Sequence, residues 1–331
     1  MNTGKVSESI YKRSVYKAIH TTGYQGNDTM DGAGLGADCA ILAYDDVKLV
    51  TAQAMANGRD VNVGARALHH AMNHLAVLGY TRAKATVSVL VPEELREIKL
   101  RNMLEKLAED AAKLAIEIVN TEVHVLPGLS KIVVNCTVSQ ACVSSRDICE
   151  GKAKPGQDLV MTKWIGLEGT VALVGEKFSQ LQTRYPLQIL EQASDFEKYL
   201  SILPEAATAM ESGMTAMHVV REGGVFGALW EFAQRSGVGL VVDLKRIPVK
   251  QETIEVCEFF DINPYELLSG GSLLIAADNG MDIVAALQQQ GIAAAIIGKT
   301  NDGNDRVVIN GEEKRFLEPA KHDEFYSEKI K

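Results

Sequence analysis

At 331 residues, 46% of them apolar, the chain is long enough to bury two cores rather than one. A formal charge of −9 excludes nonspecific attraction to nucleic acid or to an anionic membrane surface. No apolar run reaches the length of a spanning helix, the start lacks a signal-peptide core, and five scattered cysteines fit reduced thiols, so a cytoplasmic α/β protein is expected.

Val6, Ile10, Val15 and Ile19 recur at helical intervals and predict an amphipathic N-terminal helix. The Gly-rich run at residues 32–37 formally fits a dinucleotide fingerprint. A strand at 39–43 follows it instead of preceding it, which excludes that reading. The pattern then predicts a strand at 48–52, a helix over 62–78, a strand at 85–91, a long helix from 92–94 to about 119, and a strand at 131–138. That order describes a mixed sheet with both helices on one side. Cys136, Cys142 and Cys149 form no C-x-x-C pair and have no histidine among them, so no metal ligands are assigned. Residues 152–157, with Pro155 and Gly156, are the expected hinge between domains 1–150 and 151–331.

The second half opens with a strand at 158–162 and a glycine pair, Gly166 and Gly169, entering a helix. Ser194-Asp195-Phe196-Glu197 reads as a capping box, and 204–212 as a helix ended by Gly213. A β-tending run from Met214 then meets Gly223-Gly224, and an amphipathic helix follows at once. Such a pair either permits a tight turn or leaves backbone N–H groups free to receive a phosphate. Further on come a strand at 239–244, a helix at 251–259, a strand at 272–277, a helix at 281–289 and a strand at 293–297. Gly298-Lys299-Thr300 is not a P-loop, because the upstream Gly291 leaves six intervening residues where four are required. A turn at 301–304 and a hairpin partner at 306–309 close the pattern.

Residues 217–231, M-H-V-V-R-E-G-G-V-F-G-A-L-W-E, resemble the H-D-x-T-E-G-G-x-x-G-A-L-x-E segment of the AIR-synthase (PurM-like) superfamily. Residues 4–8, 36–40, 162–170, 121–123 and 303–308 resemble further motifs of that superfamily in its order. The nearest branch is the AIR synthase-related proteins, kin of HypE, the hydrogenase maturation factor that dehydrates a carbamoyl group. The resemblance implies a two-domain α/β (α+β) fold, each domain a mixed sheet covered by helices, and a homodimer formed through the first-domain sheets. It also implies an ATP site between the domains, built from Asp38, Asn73, Glu122, Lys163, Gly166, Gly169, His218, Arg221, Gly223 and Gly224.

The departures bear on chemistry. Ala37, Gln53-Ala54, His74 and Val219 stand where the family keeps acids, and Arg221 stands where it keeps a threonine. Magnesium requires oxygen ligands, so the loss of four acidic motifs points away from a Mg²⁺ clamp. The tail at 321–331 has no cysteine, so the thiol route of the carbamoyl dehydratases is not expected here. Two readings remain: an ATP-dependent enzyme phosphorylating a carbonyl or amide oxygen, as in hydrogenase maturation or purine biosynthesis, or a non-catalytic paralogue binding a nucleotide or small anion weakly. The second is preferred; Lys163 and Arg221 either take the phosphate charge in place of metal or are simply solvated. His74 and His218 are either an acid–base or metal pair, or two unrelated polar residues, and no catalytic residue is assigned.

Overall fold

A computed structural model of the chain describes residues 3–22, 29–31, 39–143, 145 and 151–330. The Gly-rich run at 32–37, Asp38 and Cys149 lie outside the described residues.

The first sheet takes its strands from β1 (Thr29–Asp31), β2 (Ala40–Tyr44), β3 (Val47–Gly58), β4 (Ala83–Val91), β5 (Ile116–Val125) and β6 (Ile132–Val143), in the order β1-β2-β3-β6-β4-β5. Along β4 every second side chain is buried, because one face is covered and the other is open. Only the β4–β5 pair is parallel among these strands, and the chain crosses between them through helix α4 (Glu97–Lys113). Helix α3 (Val63–Ala76) lies on β3 and β6, and every one of its residues is buried, because the second half of the chain covers its other side. The helix expected to run to about 119 stops at Lys113. Ala115 adopts φ +53°, and the β-branched residues from Ile116 pair with β4 instead.

The second sheet is seven-stranded, ordered β13-β12-β9-β11-β7-β10-β8. Its strands are β7 (Asp158–Thr162), β8 (Met214–Val220), β9 (Gly239–Asp243), β10 (Ser272–Ala277), β11 (Ala294–Asn301), β12 (Arg306–Asn310) and β13 (Glu313–Phe316). Helices α5 (Leu167–Leu181), α6 (Leu187–Ser194), α7 (Leu203–Glu211), α8 (Gly224–Ser236), α9 (Gln251–Phe260) and α10 (Gly280–Gln289) cover it. Both faces of β10 are buried: Leu273, Ile275 and Ala277 join the core that includes α3, while Leu274 and Ala276 face the core under α8. One apolar core thus runs through both halves of the chain.

Two local expectations are corrected. Ser194 ends α6, its Oγ donating to the Leu190 carbonyl at 2.9 Å, and a 3₁₀ turn (Asp195–Tyr199) follows in place of a capped helix. Residues 306–310 do not form a hairpin with β11; β12 runs parallel to β9 and pairs antiparallel with β13. The Gly298-Lys299-Thr300 run lies inside strand β11.

The chain ends wrap the second sheet. Helix α1 (Glu8–Ile10), a π-helical turn (Tyr11–Tyr16) and α2 (Lys17–Thr22) begin beside α8, where Lys5 Nζ meets Glu231 Oε1 at 2.7 Å and Trp230 Nε1 donates to Glu8 at 3.2 Å. At the other end, residues 317–330 form a strap with Leu317, Asp323, Phe325 and Ile330 buried. The Tyr326 hydroxyl accepts from Asn57 of β3 at 2.9 Å, so the strap reaches the first sheet. Among the described residues no helix is long and apolar enough to cross a membrane.

Candidate functional site

Strand β8 delivers Val219 and Arg221 to the mouth of a cleft, and the chain then turns sharply into α8. Gly223 (φ +79°) and Gly224 (φ +62°) make that turn in the left-handed region, and a Cβ on Gly224 would stand 2.3 Å from the Tyr265 carbonyl oxygen. The Arg221 carbonyl closes the turn by accepting from Gly224 N at 3.1 Å and Ser269 N at 3.2 Å, so the Arg221 side chain is aimed from a fixed backbone.

The cleft beside it is a cavity of about 190 Å³. Gln53 from β3, His74 from α3, Val219 from β8 and Arg221 just past its end line it, and Lys5, Glu222, Ala228 and Glu231 close it. Three of the positions at which acids are missing therefore converge on one cavity, together with Arg221, although they lie far apart in the chain.

Arg221 Nη1 donates to His74 Nε2 at 2.6 Å. A guanidinium has only donors, so His74 Nε2 is the acceptor in this contact. Arg221 Nε is buried with no acceptor, and among the described residues the guanidinium pairs with no carboxylate. Opposite it, Glu231 is held by Lys5 at 2.7 Å and by His218 Nε2 at 3.5 Å. Burial alone would raise the Glu231 carboxyl, but the His218 hydrogen bond and the Lys5 charge outweigh it and bring it down to about 2. The two histidines serve different walls: His74 receives Arg221, and His218 faces Glu231.

The other residues singled out from the sequence have different surroundings. Asn73 points away from the cleft; its Nδ2 donates to the Leu200 carbonyl at 2.7 Å and its Oδ1 accepts from Ile202 N at 3.1 Å, joining the two halves. Lys163, at φ +52°, spends its ammonium on the carbonyls of Tyr199 and Ser201, both at 2.7 Å, and on Glu205 at 2.6 Å. Those three acceptors match its three donors, and Lys163 is not a wall of the cavity. Gly166 N donates to Ser269 Oγ at 2.7 Å and Gly169 N to the Leu268 carbonyl at 2.8 Å. A Cβ at either would meet Thr253 or Leu267 within 2.6 Å, so this glycine pair serves close packing of α5. Glu122 is exposed on edge strand β5, beside His124.

Three features carried no role in the sequence reading. Lys5 and Glu231 lie within matched segments, but nothing local marks them as partners. A buried network, with His70 Nε2 at 2.5 Å from Glu168 Oε2 and Arg66 bidentate to Asp60 at 2.7 and 2.8 Å, crosses from α3 toward α5. Finally, Gly223 N donates to Asp323 Oδ2 at 2.7 Å, across 100 residues of sequence. Among the described residues no group of three or more His, Cys, Asp or Glu side chains is arranged to hold a metal ion.

Two halves built on mixed sheets under helices, meeting at a glycine-turn cleft, define the class as the PurM-like fold. Residues 154–310 match the family model for the C-terminal domain of AIR synthase related protein. A putative hydrogenase expression/formation protein of Methanocaldococcus jannaschii is 21% identical, over 92% of this chain and 91% of its own. The carbamoyl dehydratase HypE of Rhodobacter capsulatus is 23% identical, over 89% of this chain and 86% of its own. Among solved structures, HypE in a HypE–HypF complex superposes with a TM-score of 0.70 at 18% identity, covering 92% of this chain and 99% of that one. HypE in complex with ATP gives 0.66 at 17% identity over 98% of both. Residues 154–310 are thus an AIR synthase-related C-terminal domain, and the chain as a whole has the PurM-like fold and is similar to HypE along most of its length.

Proposed function

We propose that this HypE-like protein binds a small phosphate-bearing or other anionic ligand in the interdomain cleft through Arg221, without a carboxylate–magnesium clamp and without turning over ATP. The observation that carries the reading is the Arg221 guanidinium, which lines the cavity with Nε lacking an acceptor and no carboxylate partner among the described residues. A planar guanidinium presents paired donors suited to phosphate oxygens. Around it, Gln53 offers an amide, the Nε2 lone pair of His74 is taken by Arg221, and Val219 offers no donor. Glu231 is engaged by Lys5 and His218, which leaves Glu222 as the remaining carboxylate of the wall, and one carboxylate beside Arg221 fits a hard, octahedral magnesium ion poorly.

The reading includes two domains, 1–150 and 151–331, with the cleft between them. Sulfate or phosphate should raise the melting temperature of the protein, and Arg221→Ala should abolish that rise; an equal rise in the variant discards the Arg221 site. Calorimetry with Mg²⁺ and ATP should give a Kd weaker than about 10 µM, a binding free energy smaller than about 7 kcal/mol. The second reading, an ATP-dependent enzyme acting on a carbonyl or amide oxygen, is favoured by the similarity to HypE crystallised with ATP. It predicts steady phosphate release from purified protein.

A further inference from the structure

The backbone donor that the glycine turn aims outward is already occupied. The Asp323 carboxylate accepts from Gly223 N at 2.7 Å, Phe325 N at 2.8 Å and Leu268 N at 3.1 Å. Asp323 is 3% exposed, pairs with no cation among the described residues, and feels the like charge of Glu222. Of these three donors, Gly223 N stands at the start of the thirteen-residue helix α8, the kind of donor a phosphate oxygen meets at a helix N-terminus, Leu268 N comes from a neighbouring loop, and Phe325 N belongs to the strap's own turn. The strap packs directly on the turn, since a Cβ on Gly223 would stand 2.8 Å from Ala320 Cβ. Lys5, Glu222 and Glu231 line both the cavity under the strap and the Arg221 cleft, so the two spaces share walls.

We propose that the C-terminal strap closes the cleft by seating the Asp323 carboxylate in the glycine cradle, where it competes with the phosphate group of an incoming ligand, so that ligand binding and strap release are coupled. The Gly223 and Leu268 amides are the two donors that such a ligand would inherit when the strap leaves. Coupling of this kind is reciprocal: the factor by which the seated strap weakens the ligand is the factor by which the bound ligand weakens seating of the strap. The ligand class rests on the anion-binding reading above, whereas occupancy of the cradle by Asp323 does not depend on Arg221.

The test uses the full chain and inorganic pyrophosphate at pH 8, above the value of about 7 to which burial pushes the Asp323 carboxyl. Asp323→Asn keeps an acceptor oxygen and removes the charge, and pyrophosphate should then bind roughly tenfold more tightly by calorimetry. In the wild-type protein, saturating pyrophosphate should speed hydrogen exchange at the Phe325 amide while the Gly223 amide stays protected. An unchanged or weaker affinity in a natively folded Asp323→Asn protein overturns the proposal. If that variant does not fold, unchanged protection of the Phe325 amide in the wild type overturns it instead. Loss of binding in Arg221→Ala with no gain in Asp323→Asn removes the strap and leaves the Arg221 site standing. Gain in Asp323→Asn that persists in the Arg221→Ala background does the reverse, and no pyrophosphate binding to any of the proteins removes both.

Discussion

At the scale of single residues, the cleft is governed by which polar groups have partners. Glu231 keeps its charge because a hydrogen bond from His218 and the charge of Lys5 overcome burial, holding its carboxyl near 2 against a usual value near 4.5. A carboxyl depressed in the folded state contributes stability that is present above about 4.5 and lost as pH falls toward 2. Acid titration of the melting temperature should therefore fall less steeply in that window for Glu231→Gln than for the wild type; parallel curves would refute the pairing. Asn73 has a mechanical part, both ends of its amide being bonded to backbone of the other half of the chain. Asn73→Ala leaves the Leu200 carbonyl and the Ile202 N–H without that partner in a buried setting, at a cost of about 2–3 kcal/mol. Urea unfolding measures this, and a change under about 0.5 kcal/mol would show that water or relaxation replaces the bonds. Family motif and physical role come apart at this residue: the asparagine was legible in the sequence as a motif member, but its two bonds lie 127 and 129 residues away.

Among the elements, those defined by short-range pattern were readable. The strands Asp158–Thr162 and Ser272–Ala277 and the helix Leu203–Glu211 follow from apolar runs bounded by glycine, proline or polar residues. Misreading occurred where two patterns overlap. Residues 116–119 continue the helical spacing of α4, yet Ile116, Ile118 and Val119 prefer an extended backbone and find an open edge beside β4. The pairing of β12 with β9 is likewise a tertiary choice, because a turn signal at 301–304 says that the chain reverses and not which strand it meets. The glycine pair of α5 offers a direct check on packing. Gly169→Ala places a methyl about where Leu267 stands, with the nearest contact at 2.5 Å, and should cost about 1–3 kcal/mol in unfolding free energy. It should leave anion binding at Arg221 intact, since α5 does not line that cavity.

For the whole molecule, a core continuous through α3, β10 and α10 and the buried contacts of Asn73, His70 and Glu168 hold the two halves together. Strand β5 is a long edge of the first sheet, on which Val119, Val123 and Val125 are 53%, 40% and 61% exposed. An exposed edge of that length invites pairing, and a homodimer closed through the first sheet would cover it. Sedimentation should give twice the chain mass, and Val123→Lys should shift it toward the monomer; a wild-type monomer at micromolar concentration would rule the dimer out.

By itself the sequence determined the alternation of strands and helices, the sharp turn at Gly223-Gly224 and the resemblance to a PurM-like chain, because periodicity, glycine conformation and motif order are local properties. Tertiary structure alone decided what each polar group touches. Arg221 meets His74 from 147 residues away, Asp323 reaches Gly223 from 100, and Lys163 turns inward to carbonyls and Glu205. Hydrogen bonds and charges act over a few ångströms in space whatever the distance along the chain, so the occupants of the cradle and the cleft were settled by folding.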